Sequence, residues 1–220
     1  MVLELIMKVI FDIDGTLTDY NAYIQKNAIP YFQKRYKMHI KYPNALEIED
    51  IFDMNVFFME KCKCDKQISK NYTKQAIEKY WISIRFFKFA FMPFRKNAAS
   101  FVKSLRHRGY IVEIHSSRAK TSEYSFVGFV ARTFTYLQFI KNGIFPLPKF
   151  FFYKDDDSKL RGIINSNPDI VFDDKSDILK TLSSNSIKTF CLNGQHNTDL
   201  TENTYLKKIV NFTGMEHYIT

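Results

Sequence analysis

Cysteine is scarce in this chain: Cys62, Cys64 and Cys191 are the only three among 220 residues. An odd count without framework spacing excludes a disulfide-stapled secreted module and points to a reducing compartment. Cys62-Lys63-Cys64 is too closely spaced for a Cys-x-x-Cys metal knuckle, and no second pair exists to complete a zinc site. The thiols read as structural. Long apolar runs are also missing. No segment reaches the roughly 18 apolar residues that span a bilayer. The greasiest stretch, residues 82–94, is interrupted by Arg85 and Lys88 and reads as a buried or capping helix. Residues 1–7 are apolar but short, contain Glu4 and lack a basic leader, so they do not read as a secretory signal. A soluble cytoplasmic protein with no membrane partner is the expectation. Internal repeats and low-complexity linkers are absent too. Acidic residues are outnumbered, 23 against 32 basic ones, for a net charge of +9. That excess favours phosphorylated metabolites, nucleotides, nucleic acid or an anionic surface. The basic residues are scattered, however, and no cluster marks a nucleic-acid arm. Nucleic acid is therefore not the favoured partner.

What the chain does have is enough apolar material for a packed core, 45% of all residues. Its length suits one ordinary domain carrying an inserted subdomain. Short β-branched and aromatic runs predict strands at residues 9–11, 110–115, 150–153, 169–172 and 188–192. Helical patterns predict helices at 20–36, 45–61, 69–91, 95–108, 123–141, 158–166, 176–183 and, in the tail, 202–212. Pro30 should kink or break the first of these. Strands alternating with helices imply right-handed crossovers and an α/β fold with a doubly wound parallel sheet. No β signal of comparable strength lies between residues 19 and 93. Residues 18–92 therefore read as a helical insertion, a cap, and residues 1–17 and 93–220 as the core domain.

The chemistry-bearing residues fall at predicted strand ends. The run Lys8-Val9-Ile10-Phe11-Asp12-Ile13-Asp14-Gly15-Thr16-Leu17-Thr18-Asp19 delivers two carboxylates, one residue apart, to a Gly-Thr turn. Two unpaired carboxylates there repel each other and lose hydration, and a cation would cancel that cost. Downstream come Ser116-Ser117-Arg118 after the second strand, Lys159 on a short helix, and Asp173-Asp174 after the fourth strand. In parallel sheets these tips share one edge. Taken singly, each later motif is an ordinary surface sequence. Their order, acid pair, hydroxyl, lysine, acid pair, carries the signal.

The string D-x-D-G-T-L-T, followed by these partners in this order, resembles the motif series of the haloacid dehalogenase-like (HAD) phosphohydrolases over about residues 8–193. The resemblance implies a Rossmann-like core and a set of roles. Asp12 would be the nucleophile that takes up the phosphoryl group as an aspartyl-phosphate. Asp14 would be the general acid and then the general base. Thr16 would shape the turn at the phosphate site. Ser116, with Ser117 as rival, would bind a phosphoryl oxygen. Lys159, with Lys154 and Lys149 as rivals, would neutralise charge. Arg118 would touch substrate or simply be a surface arginine. Mg²⁺ is the implied cofactor, held by Asp12, the Asp14 carbonyl, Asp173 and Asp174. Asp177 would be either an outer partner of that metal or a solvated helix-start residue. The histidines show no metal spacing, and His115 reads as a packed core residue.

The implied activity is a Mg²⁺-dependent phosphomonoesterase acting on a small phosphorylated metabolite or a nucleotide. Asp14 argues against the dehalogenase branch, whereas a phosphomutase would share every motif. Residues 111–177 bear a loose similarity to the deoxyribonucleotidase-like branch, which brings nucleotides into view. Tyr20, Tyr23, Phe57, Phe58 and Trp81 are candidates to stack on a base, although core packing suits most of them as well. A polynucleotide end-processing phosphatase and a binding module without activity are the alternatives.

Overall fold

The computed structural model describes residues 6–36, 75, 79, 92–118, 120–192, 197 and 199–219. Among them run, in order, β1 (Lys8–Phe11), α1 (Tyr20–Tyr36), α2 (Ala98–His107), β2 (Ile111–Ser116), α3 (Phe126–Lys141), β3 (Lys149–Phe152), α4 (Asp156–Ser166), β4 (Ile170–Phe172), α5 (Ser176–Ser184), β5 (Lys188–Leu192) and β6 (Leu206–Ile209), closed by a 3₁₀ turn at Met215–Tyr218. The six strands form one parallel sheet in the order β3-β2-β1-β4-β5-β6. The chain begins in the middle, winds out to β3, returns to the far side of β1 and winds out again. In sheets wound this way, ligands bind outside the carboxyl ends where the winding reverses, here between β1 and β4.

Side-chain alternation along the strands builds two cores. Val9, Phe11, Val112, Ile114, Ile170, Phe172, Phe190 and Leu192 face α2, α3 and the C-terminal turn, meeting Phe101, Val102, Leu105, Phe139, Phe212 and Met215. Ile10 and Val171 face the other way, onto Ile163 of α4 and Ile178 and Leu182 of α5. The register Phe11↔Phe172↔Phe190 lines up three rings on neighbouring strands. Phe11 and Phe172 stack at 4.6 Å, and Phe172 and Phe190 at 5.0 Å. Such contacts add about 0.5–1.5 kcal/mol each beyond their buried area.

On the α4 side, β2 carries polar residues. Glu113 and fully buried His115 satisfy one another there (Oε2 to Nε2, 3.3 Å), with Tyr153 Oη 3.0 Å from His115 Nδ1 and Ser166 Oγ donating to Glu113. A side chain at Gly162 of α4 would meet the Tyr153 hydroxyl at 2.2 Å, so glycine lets that ring in. His115 is the packed core residue expected, although its partners are polar.

The structure corrects one expectation and narrows another. The tail is not helical at 202–212: residues 206–209 form β6 and pair in parallel with β5. Leu206 is buried beside Leu179 and Cys191, and the open edge of β5 outcompetes local propensity. Pro30 does not end α1, which continues to Tyr36. Buried Tyr23 and Phe32 anchor the helix on either side of an exposed Pro30, and that packing outweighs one lost backbone bond. The helices expected at 45–61 and 69–91 lie outside the described residues apart from helical positions 75 and 79, as do Cys62, Cys64, Phe57, Phe58 and Trp81. Cys191 is a free, buried thiol. No helix among the described residues is long and apolar enough to cross a membrane.

Candidate active site

Strand register explains how the acids meet. Phe11 pairs with Phe172, so the next residues, Asp12 and Asp173, leave adjacent strands on the same face of the sheet, the face covered by α4. The Asp12 amide donates to the Phe172 carbonyl at 2.9 Å, extending the ladder one rung into the site. Asp155 caps α4 by accepting from the Ser158 amide, and the first turn of the helix then delivers Lys159. The Lys159 ammonium, 1% exposed, lies 2.5 Å from Asp12 Oδ1 and 2.7 Å from Asp173 Oδ2. Asp173 also accepts the Lys175 amide through Oδ1 at 3.0 Å.

Asp174 completes the cluster. Its carboxylate is packed against Gly15 so closely that a Cβ there would fall 2.0 Å from Asp174 Oδ2. Gly15 also holds φ +83°, a conformation that side chains disfavour. Glycine in the D-x-D-G turn thus serves two needs at once, the turn and the close approach of the last acid.

Three buried carboxylates share one buried ammonium. Burial pushes Asp12 up to about 7; Lys159 pulls against this, while Asp173 and Asp14 add to it. Burial, with Asp12 and Asp173 nearby, drives Asp174 well above the usual carboxylate range. Burial works against the Lys159 charge, but Asp12 and Asp173 outweigh it and raise the ammonium well above an ordinary lysine. Fully ionised, the three acids would carry more negative charge than their one cation balances. Its donors are hard carboxylate oxygens and the backbone of the turn, which suits Mg²⁺, an ion that keeps several waters. Among the described residues no three His, Cys, Asp or Glu side chains stand together at metal-binding spacing.

The other expected residues divide cleanly. Ser116, buried at the tip of β2, accepts the Arg118 amide at 3.2 Å. Ser117 instead donates to Asp156 at 2.5 Å, and Asp156 also pairs with Lys175. Thr16 is buried, and its hydroxyl has no hydrogen-bond partner among the described residues. Lys154 is exposed beside Asp155, and Lys149 lies over the Phe151 ring, so neither rival reaches the acid cluster. Asp177 is exposed in the first turn of α5. Arg118 is not a surface arginine. It is buried and grips Asp14 with two hydrogen bonds of 2.6 Å.

Reading the sequence alone missed Gln138. It is fully buried on α3 and accepts from Arg118 Nη1 at 2.9 Å. The available signal was Thr135 and Gln138, polar residues three apart and so on one side of a largely apolar helix, which must face something polar when buried. Residues 17–19 and 93–95 also come together here. Thr18 bridges Phe94 in antiparallel fashion, the Asp19 amide donates to the Pro93 carbonyl, and the Arg95 amide donates to the Leu17 carbonyl.

No protein-family model matches this sequence, and no curated protein does. Solved structures match over nearly the whole chain. A haloacid dehalogenase-like hydrolase of Streptococcus pneumoniae aligns at 14% identity and TM-score 0.64, covering 98% of this chain and 99% of that one. A HAD-type protein of Bacillus subtilis, solved bound to magnesium, aligns at 14% identity and TM-score 0.60, covering 98% and 99%. The Protein Tyrosine Kinase A of Mycobacterium tuberculosis aligns at 17% identity and TM-score 0.63, covering 98% and 99%. Sheet order, strand-tip acids and these likenesses agree, and this chain has the fold of the haloacid dehalogenase-like hydrolases.

Proposed function

We propose that this protein is a Mg²⁺-dependent phosphatase that hydrolyses phosphomonoesters of a small metabolite or nucleotide through an aspartyl-phosphate. The observation that carries this reading is the Lys159 ammonium held between Asp12 and Asp173, with Asp174 packed beside them, at the carboxyl edge of β1 and β4. Phosphoryl transfer asks chiefly for positioning and for neutralisation of charge. This cluster supplies a carboxylate nucleophile and a fixed cation in a buried setting. The fold alone does not choose between hydrolysis and transfer, as the kinase among its likenesses illustrates.

In this reading an oxygen of Asp12 attacks phosphorus, and Asp14, at the mouth of the site, protonates the departing ester oxygen. Asp14 then takes a proton from the water that hydrolyses the acyl phosphate. Lys159 balances the charge on Asp12 and on the transferring group. Thr16 and Ser116 offer hydroxyls at the phosphate position, and the unmatched Thr16 hydroxyl supports that role. Mg²⁺ would be held by Asp12, the Asp14 carbonyl and Asp173 or Asp174, and when bound it would neutralise phosphoryl charge. The insertion at 18–92 would cover a small substrate and exclude water. The likenesses reported above do not point to the deoxyribonucleotidase-like branch, so sugar phosphates and nucleotides stand as equal candidates.

The test is a phosphate-release screen with Mg²⁺ across sugar phosphates, nucleotides and 3′-phosphorylated oligonucleotides. Turnover of a small phosphomonoester is expected, with complete loss in Asp12→Asn. Full activity in that variant would rule out the covalent route. Preference for the oligonucleotide would favour end-processing instead, and no turnover of anything would favour a binding module.

A further inference from the structure

Both carboxylate oxygens of Asp14 are occupied. Arg118 donates to them from Nε and Nη2, each at 2.6 Å, in a two-pronged grip. The remaining nitrogen, Nη1, points into the protein and donates to Gln138 Oε1 at 2.9 Å and Thr135 Oγ1 at 3.3 Å. The Gln138 amide nitrogen donates in turn to the Met92 carbonyl at 2.9 Å. Met92 opens the arm that returns from the insertion, directly before Pro93, Phe94 and Arg95, which pair with residues 17–19. Both ends of the Gln138 amide are thus committed, and a flipped amide would lose both bonds.

We propose that Gln138 is a positioning residue, which fixes the Arg118 guanidinium, and through it the Asp14 carboxylate, to the returning arm of the insertion. The inference rests on Asp14 acting as the acid. In that step an Asp12 oxygen bonds to phosphorus while the phosphorus–ester bond breaks. The ester oxygen keeps the bonding pair and receives a proton from one Asp14 oxygen, which Arg118 must first release so that solvent can load it, while the guanidinium keeps its hold on the other. An acid displaced by an ångström delivers that proton poorly. The penalty depends on the leaving group. Phenolate, whose conjugate acid has a pKa of about 10, needs the proton, whereas the far more stable p-nitrophenolate leaves without it.

The experiment compares kcat/KM for phenyl phosphate and p-nitrophenyl phosphate, since this ratio reports steps through departure of the leaving group. Gln138→Met should lower the phenyl phosphate value about tenfold or more and change the p-nitrophenyl phosphate value less than about threefold. Gln138→Glu keeps an acceptor toward Arg118 but loses the donor to Met92. It should show a smaller loss, again confined to phenyl phosphate, and it carries the test alone if the Met variant does not fold. Asp14→Asn should show the same selectivity, more strongly. Equal losses on both substrates in a folded Gln138 variant, or none, would overturn the proposal. Equal losses in Asp14→Asn, or no turnover of either ester by the wild type, would instead bring down the underlying reading of Asp14.

Discussion

A single side chain holds the acid cluster together. Lys159 is buried and contacts two carboxylates, so removing it leaves both charges without their cation in a dry setting. Lys159→Met should cost about 3–5 kcal/mol of stability. Urea denaturation at pH 7 checks this, and a variant as stable as the wild type would show that the acids find compensation elsewhere. His115 gives the opposite kind of prediction, because it is buried neutral. Burial pushes its imidazole down to about 4, against the pull of Glu113, and Lys159 and Lys8 disfavour its charge further. Tyr153 faces the other ring nitrogen. In the unfolded chain the same group titrates near 6.5. Between those values the unfolded chain binds a proton that the fold excludes. The His115 contribution is therefore intact above about pH 6.5 and declines as pH falls toward 4, by about 3 kcal/mol in all. Glu113, whose carboxyl is lowered despite burial by Ser166 and His115, acts in the same direction. The slope of unfolding free energy between pH 7 and pH 5 should flatten in His115→Gln. An unchanged slope in that variant would mean that another group accounts for the acid sensitivity.

At the scale of elements, the site depends on the register of β1 against β4. The stacked rings of Phe11, Phe172 and Phe190 pin that register from the face opposite α4. Phe101 on α2 meets Phe172 edge-on at 5.6 Å, and Phe212 packs against the same ring. Phe172→Ala should lose about 3–5 kcal/mol and, because Asp173 follows directly, should impair activity at temperatures where the chain remains folded. Thermal melts paired with turnover measured well below the transition would separate the two effects. Loss of stability with undiminished turnover would show that the hydrogen-bond ladder alone sets the register. β6 matters for a different reason. Its pairing covers the edge of β5, and Lys207 and Lys208 place charge on the edge that remains.

Across the whole molecule, the proposed function predicts that the stability of the fold responds to a divalent cation, because three buried acids face one buried ammonium. An ion that binds only the folded state raises stability by mass action, about 2.7 kcal/mol at a hundredfold excess over Kd. For a chain of this size that corresponds to a Tm increase on the order of 5–10 °C. Saturating MgCl₂ should produce such a shift, EDTA should reverse it, and Asp173→Asn should abolish it. A Tm indifferent to Mg²⁺ in the wild type would place the metal elsewhere or nowhere. The readout is independent of turnover, so it holds whatever the substrate proves to be.

The sequence by itself determined the order of strands β1 to β5 with the helices between β2 and β5, and it nominated the candidate reacting groups. Short apolar runs ending in Asp12, Ser116 and Asp173 encode buried strands with polar tips, because period and burial are local properties of a chain. The glycine after Asp14 was legible for the same reason, since a turn demands it. Partnership was not legible. Lys149, Lys154 and Lys159 are alike as a string, and only the start of α4 and the β1–β4 register decide that Lys159 meets Asp12, 147 residues away. Arg118 reads equally well as a surface charge until the packing of α3 buries it against Gln138. The tail reads as a helix until the open edge of β5 recruits it as a strand. In each case the deciding energy is the desolvation of a charge or the satisfaction of a backbone edge, and both exist only once distant segments have come together.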